Sequence, residues 1–450
     1  MQPLTTAIAE FVATFDPATI PERCEYGARI GMIDCLGVMI AGAGEEAVRL
    51  VAATVADSTT DGAPEIPTGR NLAPADAALV NGVAAHALDY DDVGMDGHPS
   101  AVLTPAILAE GWSLGTSGQD AIAAYIAGYE VWALLQELEP GSMHERGFHP
   151  TAIWGALACA AACARLNRLN PEQTGHAIAI GASLAAGLVA NFGTMTKPLH
   201  VGRTAQAGVF AARLAKAGFT GSRDVLEHAA GFMQAHSRSG RPDIEPRDWQ
   251  LGSRWRMQEL GINIKRYPMC YATHRSIDAM LDLAGSHDLN PNAVSRIDVR
   301  IGTTQSLMLR NHEPKTGLEA KFSMEFAMAS ALIERKVGLQ ELTDDFVGRE
   351  DVGETMRKVR ISTTEEKMAD MPFSPDDRVS VRLVSGETLA ADPVVRPKGS
   401  WQRPLDEKEL REKFLDCAAT CFDRSHAENL FSHLSGIKAV KAVRQLPLCR

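Results

Sequence analysis

The chain has 450 residues, more than one ordinary hydrophobic core holds, so length alone argues for two domains. Apolar residues make up 45% and charged residues 22%, a balance that suits large cores and excludes a mainly disordered chain. A net charge of −11 excludes the basic surface that nucleic acid and anionic membranes select, so any local group of cations points to a small anion.

The first 260 residues read as helix after helix. Thr5–Thr14 carries Ile8, Phe11 and Val12 at helical spacing, and Glu22–Ile40 continues with Ala28, Ile30, Ile33, Leu36 and Val38. Pro74 opens another helix, a position where its missing N–H costs nothing. Further helices are expected at Ala101–Leu114, Gly118–Leu138, Thr151–Leu166, Pro171–Ala190 and Arg203–Lys216. His176–Thr196 lacks Asp, Glu, Lys and Arg, but its apolar part, Ala177–Ala190, is shorter than the ~20 residues a membrane span needs. A buried helix is the expectation, and its small residues would let neighbours approach closely.

The pattern changes after Gly261. Val294–Ile301, Lys358–Ser362 and Arg378–Val384 alternate apolar and polar residues, as half-buried strands do. Ser385-Gly386-Glu387 then predicts a hairpin into Thr388-Leu389, while Ser323–Arg335 and Gln340–Val347 look helical. Helix returns at Asp406–Cys421. The expected architecture is mainly α with an α+β second domain. A large helical domain takes residues 1–261 and 401–450, and an inserted α+β lid takes 262–400. Met1–Asp16 lacks the basic and apolar regions of a secretory signal, and the eight cysteines form no disulfide-like pattern; Cys159/Cys163 and Cys417/Cys421 share helix faces. Reduced, buried thiols in a cytoplasmic protein are the expectation.

Four separated clusters carry residues able to do chemistry. The first runs from Asn81 through His86, Asp89, Asp91 and Asp92 to His98. His86 and Asp89, three apart, are expected on one helix face. This set suits a metal, acid–base work without metal, or a helix-ending acidic turn. The second is His144–Thr151, where His149 precedes a Pro that opens a helix whose free N–H groups welcome an anion. The third, Gly193–Arg203, sets Lys197 in apolar surroundings where an ammonium needs an acidic partner or an anionic ligand. The fourth, Lys265–Arg275, sits at the domain junction; Cys270 with His274 as base is its weaker reading, because sequence proximity guarantees no geometry.

Together these clusters resemble the MmgE/PrpD family, which includes 2-methylcitrate dehydratases, cis-aconitate decarboxylases and an iminodisuccinate epimerase. The text that carries the resemblance is Asn81–Asp92 with His98-Pro99-Ser100, Gly147–Pro150, Gly193–Gly202, and Lys265–His274 with Ser276–Ala279. Glu319–Ser323 and Pro397–Gly399 add to it, so the whole chain is covered in order. The resemblance implies a homodimer with an interdomain active site for a small polycarboxylate, using no metal and no organic cofactor. It carries active-site roles to Asp89, His98, His149, Lys197 and Lys265. It also marks three departures, with Val93 where a Thr is usual, Cys270 where a His is usual and Phe326 where a Tyr is usual; these point away from cis-aconitate decarboxylation.

The family's reactions share carbanion character beside a carboxylate. Asp89, His98, His149 and Lys197 are therefore the expected catalytic set, with Asp89 orienting a histidine, the histidines moving protons and Lys197 facing the developing charge. Lys265, Cys270, His274, Val93, Phe326 and Arg203 are the expected substrate contacts. A hydro-lyase acting as a 2-methylcitrate dehydratase does is the leading expectation, with an epimerase or a decarboxylase as alternatives. A metal-dependent hydrolase on His86, Asp89, Asp91 and Asp92 and a non-catalytic carboxylate binder are the rivals from other classes.

Overall fold

The computed structural model describes residues 2–58, 60–139, 143–237, 239–368 and 373–449. They form two compact units, Met1–Asn263 with Asp406–Arg450, and Ile264–Leu405.

The first unit is helical. Its principal helices are α1 (Leu4–Thr14), α2 (Glu22–Gly42), α3 (Pro74–Ala87), α4 (Pro99–Leu114), α5 (Gly118–Glu137), α6 (Pro150–Leu166), α7 (Pro171–Leu184) and α8 (Thr196–Lys216). Proline opens α3, α4, α6 and α7, where its fixed φ suits the first turn. No helix among the described residues is long and apolar enough to cross a membrane.

The backbones of α3 and α8 touch. A Cβ on Gly82 would lie 2.8 Å from the Gly202 Cα, and one on Gly202 would lie 2.4 Å from the Leu79 carbonyl oxygen. Only glycine permits that approach, and it brings the first turns of α8 beside the end of α3.

Two expected boundaries move. α7 stops at Leu184 rather than Ala190, and α8 starts at Thr196 rather than Arg203. The cause lies in where main-chain hydrogen bonds go. His149 N–H donates to the Gly187 carbonyl (3.0 Å) and Val189 N–H to the Gly147 carbonyl (2.9 Å), so this stretch is tied to the His149 segment instead of continuing a helix.

The second unit is α+β. β1 (Val294–Gly302) pairs in parallel with β2 (Val359–Thr364) and antiparallel with β3 (Arg378–Leu383), which pairs antiparallel with β4 (Thr388–Ala390). The order is β2-β1-β3-β4, and Gly386 makes the β3–β4 turn at φ +95°. Ile297, Val299, Val379 and Val381 supply one side of the core. Three helices, α9 (His274–Ser286), α10 (Met324–Ile333) and α11 (Glu350–Met356), accompany the sheet. The expected helix Gln340–Val347 shrinks to Asp344–Val347, because Thr343 caps the turn there. The chain then completes the first unit with α12 (Glu407–Ala418) and α13 (Arg424–Ser435).

Candidate active site

α3 ends one turn before the acidic run. Leu88 closes the helix and Asp89 takes φ +52°, the left-handed region that short polar side chains tolerate. His86 and Asp89 therefore do not share a helix face, which corrects the sequence expectation. Asp89 turns to Lys197 instead, with Nζ donating to Oδ1 at 2.8 Å. Lys197 itself lies in the first turn of α8, not in a loop, and its ammonium also stands 5.2 Å from the Phe192 ring centre.

The residue that orients the histidines is Asp91, not Asp89. Its carboxylate receives the Nδ1–H of His86 (2.9 and 3.0 Å) and that of His98 (2.9 Å). His98 Nδ1 also lies 2.8 Å from the Asp92 carbonyl oxygen. A carboxylate and a carbonyl only accept, so each ring carries a proton on Nδ1, which leaves Nε2 as the nitrogen able to exchange one. Burial alone would raise the Asp91 carboxyl, but the two imidazoles outweigh it and hold it well below the usual carboxylate range. Next to it Asp92 goes the other way. Burial first, then the charges of Asp91 and Asp34, push it well above that range, and its carboxyl accepts from Ser100 N–H at 3.1 Å. Neighbouring acids are thus shifted in opposite directions.

His98 and His149 reach the cluster by one device. Each precedes a proline that starts a helix, and the residue before proline is steered into extended backbone. Both imidazoles then stand at helix N-termini. His149 Nδ1 lies 3.1 Å from His200 Nδ1, and His86 is 4.4 Å from His98 and 6.1 Å from His149 between ring centres. Burial pushes His86 down to about 4 against the pull of Asp91, and burial followed by nearby positive charge lowers His149 and His200 as well. Lys197, His98 and His149 therefore belong to one cluster. Its accessible edge is Asp89, Lys197 and His98, whose side chains are 21%, 16% and 14% exposed; His86, Asp91, Asp92, His149 and His200 form the buried back.

His86, Asp89, Asp91 and His98 can each offer one atom within 4.8 Å of the others, a spacing that a metal ion could use. Such an ion would compete with the Lys197 ammonium for Asp89 and with imidazole N–H groups for Asp91.

The remaining candidates are placed elsewhere or do other work. Val93 pairs its main chain with Asn263 (2.8 and 3.1 Å) and is half-buried. Arg203 lies exposed on α8, held by Gln206, so it does not join the cluster. Lys265, Cys270, His274 and Phe326 belong to the second unit. Lys265 is buried, and His274 opens α9 with Nε2 3.2 Å from the Met269 carbonyl oxygen. Phe326 is fully buried against Phe346 in the apolar core that also includes Cys270. Sequence reasoning missed Asp91 as the orienting acid and His200 as the partner of His149. The signal for Asp91 was only its position between two histidines, since no helical period links it to either.

Residues 6–245 match the MmgE/PrpD N-terminal domain and residues 267–433 the MmgE/PrpD C-terminal domain. The cis-aconitate decarboxylase of Homo sapiens is 30% identical over 404 residues, covering 87% of this chain and 80% of its own. That of Mus musculus is 29% identical over 425 residues (89% and 84%), and that of Aspergillus terreus is 25% identical over 463 residues (97% and 93%). With both domains matched in order along nearly its full length, the chain belongs to the MmgE/PrpD family.

Proposed function

We propose that this protein is a lyase acting on a small polycarboxylate, by making or quenching carbanion character on the carbon beside a carboxylate. The observation that carries the reading is the Asp91 carboxylate holding the Nδ1–H of His98, which leaves Nε2 for proton exchange in a cluster whose accessible edge also carries the Lys197 ammonium. With Nδ1 held by Asp91, Nε2 is the nitrogen that takes or gives the substrate proton. The Lys197 ammonium, held by Asp89, stabilises the extra negative charge that the substrate carboxylate gains as the proton or carboxyl group leaves. Asp89 keeps that ammonium oriented, and His149, neutral and paired with His200, is the second proton carrier. Lys265 remains a substrate-binding cation on family resemblance alone.

Within this class we favour elimination of water, as in a 2-methylcitrate dehydratase. The reason is that Val93 brings no hydroxyl and Cys270 no imidazole to the positions noted in the sequence. Decarboxylation is the second reading, favoured by the names of the relatives. A metal-dependent hydrolase is the third, favoured by the four convergent donor atoms. An NMR screen of di- and tricarboxylates in D₂O separates them. Deuterium entry with water loss supports the first reading, and CO₂ release supports the second. Activity that tracks stoichiometric metal and dies with chelator supports the third. Tight binding of polycarboxylates with no exchange or turnover across the panel would leave a carboxylate-binding protein.

A further inference from the structure

We infer that Lys413, on helix α12 of the carboxy-terminal segment, is a positioning residue that fixes the active-site loop through the Tyr90 carbonyl. Its ammonium is buried, pairs with the equally buried Asp34 of α2 at 2.5 Å and donates to the Tyr90 carbonyl oxygen at 3.0 Å. It also stands 3.9 Å from the centre of the Tyr90 ring. Tyr90 lies between Asp89, which holds Lys197, and Asp91, which holds two imidazoles. One cation thus grips the carbonyl of the single residue that separates the two functional carboxylates.

A buried ion pair is weak evidence for stability, since apolar replacements of both partners are often neutral or better; where one is kept, fixing a geometry is the better-attested use. The geometry at stake here is specific. Asp89 sits in the left-handed region, so its side chain meets Lys197 only while the peptides on either side hold their orientation. The Tyr90 carbonyl belongs to a buried residue and accepts from the Lys413 ammonium, a charged donor. Lys413 supplies that donor from a segment more than three hundred residues away, and Asp34 supplies the charge that lets an ammonium remain there. The inference rests on the proposed function only in its kinetic arm.

The test uses the full chain carrying D34N and K413M together, which removes both charges and leaves no unpaired ion. Peptide-resolved deuterium exchange is read over residues 88–97, with turnover of cis-aconitate and 2-methylcitrate measured in parallel. Losing one hydrogen bond from a charged donor should speed exchange in that segment by ~10-fold or more, while exchange in the remaining helices is unchanged. Turnover should fall through kcat with KM little altered, and K413R alone should restore most of both. Parent-like exchange over residues 88–97 overturns the inference, whatever the kinetics. A parent protein that turns over neither compound damages the proposed function and leaves the exchange result to decide this one. Should the double variant fail to fold, D34N with K413L, which likewise removes the donor and both charges, is measured in its place against the same two outcomes.

Discussion

Two stretches of this chain look equally rich in chemistry, Asp89–His98 and Lys265–His274, yet they differ in what their polar groups face. In the first, titratable groups face one another, with Asp91 between two imidazoles, Asp89 on Lys197 and His149 on His200. In the second, the thiol of Cys270 is packed in an apolar core, His274 rests on a main-chain carbonyl and the Tyr267 hydroxyl donates to Asp278 at 2.6 Å. Composition marks both stretches alike. What marks the first stretch is that burial and mutual contact act together on its imidazoles and carboxylates, and that combination is what a proton-handling cluster needs.

The sharpest way to break that comparison is to exchange its two halves by mutation. His98→Ala should lower kcat by about 10²–10⁴-fold on whichever polycarboxylate the screen identifies, the usual contribution of a general base. Asp91→Asn should approach that loss, since an amide cannot accept two Nδ1–H groups and remain anionic. Cys270→Ala should leave turnover within a few fold. Equal losses at His98 and Cys270 in steady-state kinetics would erase the distinction. Phe326→Ala tests the other side, as a core residue should cost about 3–5 kcal/mol of stability in denaturant unfolding.

Acid sharpens the comparison further. A buried imidazole with a depressed pKa stabilises the fold above its unfolded pKa and loses that contribution as pH falls through the folded value. For His86 the window runs from the ordinary value of 6.5 down to about 4, worth on the order of 3 kcal/mol. His149 and His200 act in the same direction. Asp92 opposes them, because a raised carboxyl binds a proton more tightly when folded and so gains stability as pH falls. The unfolding midpoint should therefore drop between pH 7 and pH 5, and Asp92→Asn, which removes the opposing group, should steepen the drop. A midpoint that rises on acidification would show that the imidazoles of the cluster are charged in the folded state.

Much of this was legible in the sequence, and the part that was not has a physical explanation. Helical and alternating periods revealed the helices and strands because burial of one face repeats every few residues. His98 and His149 were legible for a related reason, since the proline after each dictates a helix start. The boundaries of α7 and α8 were hidden because Gly187 and Val189 bond to Gly147 and His149, about forty residues earlier. The orienting role of Asp91 was hidden by the turn at Asp89, since one left-handed residue reverses which acid faces the histidines. The burial of Phe326 was not legible, because its place in a motif says nothing about whether its ring faces a cavity or a core.

Packing offers a smaller effect. Gly202→Ala forces a methyl against the Leu79 carbonyl, so α8 must shift or strain, at about 1–3 kcal/mol by thermal unfolding. Because Lys197 and His200 ride on α8, turnover should fall with it, whereas an alanine at the open Gly193 or Gly218 would test only local backbone.

The smallest expected effect is at Arg203, and it is the cleanest control for position along α8. Arg203 lies one turn from His200 and two from Lys197, so by sequence it is as much a candidate anion ligand as either. Its guanidinium instead extends over the surface to Gln206, whose amide donates to Asp76 at 2.9 Å. Arg203→Ala should change stability by no more than about 0.5 kcal/mol, as exposed side chains normally do. It should leave KM for a polycarboxylate unaltered, where Lys197→Ala raises KM and lowers kcat together. A rise in KM at Arg203 would move the anion-binding edge outward along α8 and make the buried back of the cluster, not its accessible edge, the part that merely supports the fold.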